Sequence, residues 1–203
     1  MANEKKEQKA PVGIREKLLE VGAKLVAEKG FNKISVEEIT KTAGVAKGSF
    51  YTYFKRKEDL IQEINRSATS TVMDEVNSMQ NADIEDKLQL YVVRFINKVQ
   101  ENDIQICRQW LCNMLNPQDI VEAKDKEKLE RDCKDIRNLL KEEISAGRLK
   151  KKTPVSLVAN LLVCQIYGML ACWCMSNGEF TPKEWAKNFC EAQIRPILKQ
   201  YLK

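Results

Sequence analysis

Between Ser35 and Lys57 the chain reads SVEEITKTAGVAKGSFYTYFKRK, and cations, hydroxyls and phenols crowd into one short segment. Phe50 and Phe54 stand four residues apart, the spacing that puts two side chains on one helix face. If that face is buried, the opposite one displays Lys47, Gly48, Ser49, Tyr51, Thr52 and Tyr53. Such a surface suits the major groove of DNA. A long cation reaches a guanine edge, hydroxyls meet phosphates, and a threonine methyl meets thymine. The glycine lets backbone come close. Lys57 is expected at the start of the following helix, where its charge and the free amides there can meet the same phosphate.

Other chemistry is scarce. The 203 residues include no histidine, which excludes Ser-His-Asp and Cys-His nucleophile pairs and every histidine-ligated metal or haem site. Seven cysteines (Cys107, Cys112, Cys133, Cys164, Cys172, Cys174, Cys190) include no CxxC pair. They are expected as reduced, mostly buried thiols in a cytoplasmic protein rather than as a disulfide or metal framework. Neither a catalytic residue, a metal site nor a cofactor is expected, so the chain is not read as an enzyme. The start, MANEKKEQKAP, lacks the apolar run of a secretory signal. No residue from Thr153 to Asn177 is charged, so this stretch is long enough to be weighed as a membrane span. Asn160 and Gln165 near its middle favour a buried or subunit-interface helix instead.

These residues need elements to hold them, and the periodicity is helical throughout. Ile14, Leu18, Val21, Leu25 and Val26 form one stripe that stops at Lys29-Gly30. Ser35 with Glu38 makes a capping box for a second helix, Gly44 ends it, and a third runs from about Ala46 to Phe54. A fourth begins after Lys55-Arg56. Longer helices follow: one after Asp83, one from Asp103 to Asn116 stopped by Pro117, and one from about Val121 to Ala146. The last of these carries Leu129, Cys133, Ile136, Leu139, Leu140 and Ile144 inward. Thr153-Pro154 and Thr181-Pro182 are read as the caps of two more. The fold expected is all-α with about nine helices. An N-terminal helix-turn-helix domain, three helices behind a polar tail, occupies residues 1–57, and a helical bundle residues 58–203.

The first helix, the capping box, Gly44 to Phe54 and Lys57-Glu58-Asp59-Leu60 together resemble the DNA-binding domain of TetR/AcrR-type transcriptional repressors. The likeness covers about residues 12 to 64. It implies a homodimer whose C-terminal domain binds a small-molecule inducer and pairs through its last two long helices. By position, Lys47 and Thr52 resemble the family's base-facing residues, while Ser49, Tyr51, Tyr53 and Lys57 resemble its phosphate contacts and Ser35 a further one. The recognition helix of the family often starts with Ser or Thr where this chain has Ala46, a difference of about 1 kcal/mol in capping.

Charge placement agrees. Residues 1–57 hold thirteen Lys and Arg against seven Glu, and residues 58–203 hold 21 against 22 acids, so the net +5 resides entirely in the candidate DNA-binding part. In the bundle, Tyr91, Phe95, Trp110, Met114, Cys164 and Tyr167 are the inward aromatic and soft residues expected to line an inducer pocket, and their low polarity suits a hydrophobic or amphipathic ligand. The expectation is a cytoplasmic homodimeric regulator of a palindromic double-stranded DNA operator, without membrane contact. A membrane-anchored regulator using residues 153–177 and a thiol-based redox-sensing regulator are the alternatives.

Overall fold

The computed structural model describes residues 13–69, 71–115 and 121–203, and over these the chain is helical with a single antiparallel bridge, Leu149 to Leu202. The polar tail and the Pro117 stop lie outside the described residues. Helix α1 (Ile14–Lys29), a one-turn 3-10 segment (Phe31–Lys33), α2 (Val36–Thr42), α3 (Lys47–Tyr53) and α4 (Lys57–Thr69) form the N-terminal part. Then come α5 (Val72–Asn77), α6 (Ile84–Gln100), α7 (Ile104–Leu115), α8 (Val121–Ser145) and α9 (Val155–Met175). The last helix is α10 (Pro182–Phe189), a π turn (Cys190–Ile194) and α11 (Arg195–Lys199) in series. The short α5, anchored by buried Val72 and Val76, is additional to the nine expected helices.

One apolar core runs from Leu18 and Phe50 through Leu60, Phe95 and Trp110 to Leu198. Helix α4 is the joint. It packs on α1 on one side and on α6 and α7 on the other. Gly22 of α1 makes the first contact possible: a Cβ there would stand 2.3 Å from Leu60 Cδ2. Arg15 on α1 pairs with Glu63 on α4 beside it.

Three expected details differ. Thr153 does not cap α9; its hydroxyl donates back to Lys150 O at 2.6 Å, and the helix starts after Pro154. Thr181 precedes α10 with Pro182 in the first turn, but its side chain makes no capping bond. In α8, Ile136, Leu139 and Leu140 face inward as expected, whereas Leu129 is 42% exposed and Lys128 and Asp132 are buried in its place. The inward phase of α8 is set in that half by partners on other helices, described below.

Helix α9 is apolar enough to span a membrane by length and composition, yet Val158, Leu162, Ile166 and Leu170 are buried against the bundle, chiefly α8 and α7. Its other side exposes Leu157, Leu161, Cys164, Gly168, Cys172 and Met175 at three- and four-residue steps.

Candidate nucleic-acid interface and effector core

The N-terminal site is assembled by local chemistry. Ser35 Oγ accepts Glu38 N–H at 3.1 Å, the half of the capping box that closes the first turn of α2. Lys29, at the end of α1, donates to Glu38 as well and holds that carboxyl below its ordinary range. The turn between α2 and α3 has Gly44 at φ +67°, the left-handed region where a Cβ is strained. Val45 N–H closes the turn on Thr40 O at 2.9 Å.

Helix α3 then rotates as its sequence dictates. Phe50 and Phe54 are buried, their ring centroids 5.4 Å apart, and Tyr51 meets the Phe50 edge at 5.5 Å. Lys47, Gly48, Tyr51, Thr52 and Tyr53 are exposed and Ser49 half-buried. A Cβ on Gly48 would meet nothing within 4 Å, so this part of the helix is open to a close-lying surface. Thr52 Oγ1 donates to Gly48 O at 3.3 Å, which leaves the γ-methyl as its outward group. As expected from Ala46, the helix start has no side-chain cap. Lys47 Nζ lies 3.4 Å from Glu37 across the turn; both are largely exposed, so the pair contributes little and opens readily.

Lys57 opens α4, as expected, and makes a tie that the sequence did not show. Its ammonium donates to Phe31 O and Ile34 O, both at 2.8 Å, and sits 4.1 Å from the Phe31 ring centroid. Burial lowers its pKa from the ordinary lysine value. Two of its three N–H donors thus tie α4 to the 3-10 segment, leaving one for any phosphate.

In the C-terminal part, Tyr91, Phe95, Trp110 and Tyr167 come together between α6, α7 and α9. Centroid distances are 6.0 Å for Tyr91–Phe95, 6.2 Å for Phe95–Tyr167 and 5.4 Å for Trp110–Tyr167. Met114 is half-buried at the core's margin. Cys164 does not join them; it is exposed on the outer stripe of α9, so its expected place in a pocket lining is not observed.

Sequence periodicity missed a polar group in the middle of this cluster. Lys128 Nζ lies 2.9 Å from Asp132 Oδ2 and 4.9 Å from the Phe95 centroid, and Tyr167 OH donates to Asp132 Oδ2 at 2.8 Å. The charge of Asp132 and loss of water push the Tyr91 and Tyr167 phenols and the Asp135 carboxyl up, burial being the larger cause for each. Trp110 Nε1 is buried without a hydrogen-bond partner among the described residues, a donor beside this group. The only sequence signal was Lys128 and Asp132 at an i, i+4 spacing, which a solvated helix face shows equally often. A separate shallow groove of about 400 Å³ lies outside, between α6 and α10, lined by Gln89, Val93, Thr181, Lys183, Glu184 and Lys187. Among the described residues, no cluster of metal ligands is present.

Residues 18–64 match the family model described as bacterial regulatory proteins, tetR family. The fatty acid metabolism regulator protein of Bacillus subtilis is 24% identical over 166 residues, covering 80% of this chain and 84% of that one. The uncharacterised HTH-type transcriptional regulator YvdT of the same organism is 35% identical over 71 residues, which is 35% of this chain and only 37% of the relative's length. Among solved structures, the B. subtilis transcriptional regulator FadR in complex with stearoyl-CoA superposes with a TM-score of 0.71 at 21% identity, over 86% of this chain and 95% of that one. At that identity the likeness establishes the fold.

Proposed function

We propose that this chain, whose residues 18–64 match the tetR family model of bacterial regulatory proteins, is a ligand-responsive DNA-binding transcriptional regulator, a repressor released from a palindromic operator by a small hydrophobic or amphipathic inducer. The observation that carries this is the pairing of faces on α3: buried Phe50 and Phe54 fix a helix whose outer side presents Lys47, Gly48, Ser49, Tyr51, Thr52 and Tyr53. Lys47 and the Thr52 methyl read base edges. Ser49, Tyr51, Tyr53 and Ser35 hold phosphates, and Lys57 adds one donor while chiefly bracing α4.

Two copies pair through α9 and the α10–α11 helix, which covers the exposed Leu157, Leu161, Gly168 and Met175 stripe. Each then places α3 in one of two major-groove segments about 34–36 Å apart. The inducer enters among Tyr91, Phe95, Trp110 and Tyr167. Trp110 is on α7, and α7 packs on α1 and α4. Displacing Trp110 therefore tilts the DNA-binding end and changes the spacing of the paired α3 helices. The unmet Trp110 Nε1 donor and the Lys128–Asp132–Tyr167 group suit a ligand with an apolar body and a polar head. The relative named for fatty acid metabolism and the structural neighbour bound to stearoyl-CoA support a ligand of that class. The working place of such a protein is the cytoplasm, and no catalysis is assigned to it.

Selection of duplexes from genomic DNA by the purified protein tests the reading. A palindromic sequence should be enriched, long-chain acyl-CoA should be tried first as the releasing ligand, and Lys47→Ala should cost about 1–3 kcal/mol of discrimination at one base pair per half-site. Absence of any enriched sequence would refute it.

A further inference from the structure

Two buried donors without acceptors stand on one face of α7. Trp110 Nε1 has no hydrogen-bond partner among the described residues, and neither has Asn113 Nδ2, three residues on. A three-residue step puts both on the same side of a helix. Gln109 orients the second: its Nε2 donates to Asn113 Oδ1 at 2.7 Å, so the amide nitrogen is the end left over. A dry N–H with no acceptor is costly, and native proteins seldom keep two together unless something brings the acceptor to them.

The acceptor nearest in the cluster is already filled. Asp132 takes Lys128 Nζ on both oxygens, at 3.1 and 2.9 Å, and the Tyr167 hydroxyl on Oδ2 at 2.8 Å. Tyr167 spans the two groups, its ring centroid 5.4 Å from that of Trp110 and its hydroxyl on Asp132. Lys128 and Asp132 are each only 7% exposed. Their charges cancel, so the pair holds no spare positive charge for an anion. A carboxylate seated at Trp110 would lose its water and meet the Asp132 charge about one phenol ring away, with little solvent to screen it. A carbonyl oxygen accepts the same N–H bonds and meets neither cost.

We propose that Trp110 and Asp132 set the head-group specificity of the effector core. Trp110, with Asn113, donates to an uncharged carbonyl oxygen, and Asp132 turns carboxylates away. The ligand class is thus an ester, thioester or ketone on an apolar body, as against the free acid of the same chain. This rests on the reading of the aromatic cluster as the ligand site and sharpens it. The apolar body lies along Tyr91 and Phe95, whose centroids are 6.0 Å apart.

The test is titration calorimetry of the folded full chain at pH 7.5 with methyl octanoate and with octanoate. The ester should bind about tenfold more tightly, the scale of a repulsion between two poorly screened charges. Trp110→Phe should weaken the ester about fivefold and leave octanoate unchanged, the scale of one neutral hydrogen bond. Asp132→Asn leaves Lys128 as an unmatched cation and should reverse the preference toward octanoate. The double change Lys128→Met with Asp132→Asn holds no cation and should not reverse it. Circular dichroism checks that each variant folds; the wild-type ratio alone decides if Asp132→Asn does not.

Octanoate binding as tightly as the ester overturns the proposal, and so does an Asp132→Asn ratio equal to that of wild type. Binding of neither probe overturns it together with the ligand reading of the core. Selection of duplexes is a separate readout. An enriched palindrome with octanoate the tighter ligand sinks this proposal alone, whereas an ester preference with no enriched duplex upholds it and sinks the regulator reading.

Discussion

Replacing Lys57 by alanine separates a structural tie from a DNA contact. The substitution removes two charge-assisted hydrogen bonds to Phe31 O and Ile34 O and the stacking on the Phe31 ring. Bonds to a charged donor contribute about 1.5–3 kcal/mol each, and a cation over an aromatic face about 0.5–1 kcal/mol. The site is only half-buried, so water replaces part of what the carbonyls lose, and about 2–3 kcal/mol is the net destabilisation. In a chain of this size that lowers the melting temperature by about 4–12 °C. Circular dichroism melts at one fixed protein concentration read it, because the proposed pairing of two copies makes the midpoint concentration-dependent. Lys57→Met, which keeps the packing on Phe31, should recover part of the loss. In parallel, the salt dependence of binding to a generic duplex changes by about 0.9 per lost phosphate contact. A variant that melts with the wild type while its salt slope falls by that amount would refute the structural assignment.

Three other perturbations follow from the geometry. Glu37→Gln removes the only carboxylate within 4 Å of Lys47 among the described residues, and should tighten generic duplex binding by about two- to fivefold at low salt, an effect that fades as salt rises; weaker binding would contradict the placement of α3 against phosphate. Glu143 is buried between Lys87 and Arg148, and its hydrogen bonds to Arg148 and then Lys87 hold its pKa below the ordinary glutamate value. A depressed carboxyl stabilises the fold above the unfolded-state value of about 4.3 and loses that contribution as pH falls through the lower folded value. Urea unfolding at pH 7 and pH 3.5 should show a smaller acid loss for Glu143→Gln than for wild type. Leu161→Glu places a charge on the outer stripe of α9 and should convert the proposed dimer to monomer in sedimentation, without lowering the helical signal; an unchanged mass would move the interface elsewhere.

The N-terminal site was legible because each step of it is encoded within a few residues. Ser35 caps, Gly44 turns, and Phe50 and Phe54 set the rotation of α3, so the exposed set followed directly. Lys57 escaped because its partners are backbone carbonyls of Phe31 and Ile34, placed by the path of a 3-10 segment that side-chain types do not announce. In α8, hydrophobic periodicity put Leu129 inside, but Asp132 is met there by Tyr167, 35 residues further along the chain, and Lys128 by the Phe95 face. A charged pair goes inward only when such partners exist. Cys164 was misplaced for the opposite reason: α9 is apolar all round, so nothing in its sequence marks the inner side. Thr153 turns its hydroxyl back to Lys150 O, and Thr181 stands before α10 with extended backbone yet makes no capping bond, so residue type alone did not decide either cap.

The fit of Gly22 against Leu60 limits how this chain can be recombined with its relatives. A hybrid seamed at residue 57 would bring an unrelated α1 against Leu60, and a methyl group at the position of Gly22 would stand 2.3 Å from Leu60 Cδ2 unless that buried side chain moved. Moving the seam past Thr69 keeps the α1–α4 match but shifts the mismatch to the faces that α4 presents to α6 and α7. Either seam therefore needs compensating changes across α4.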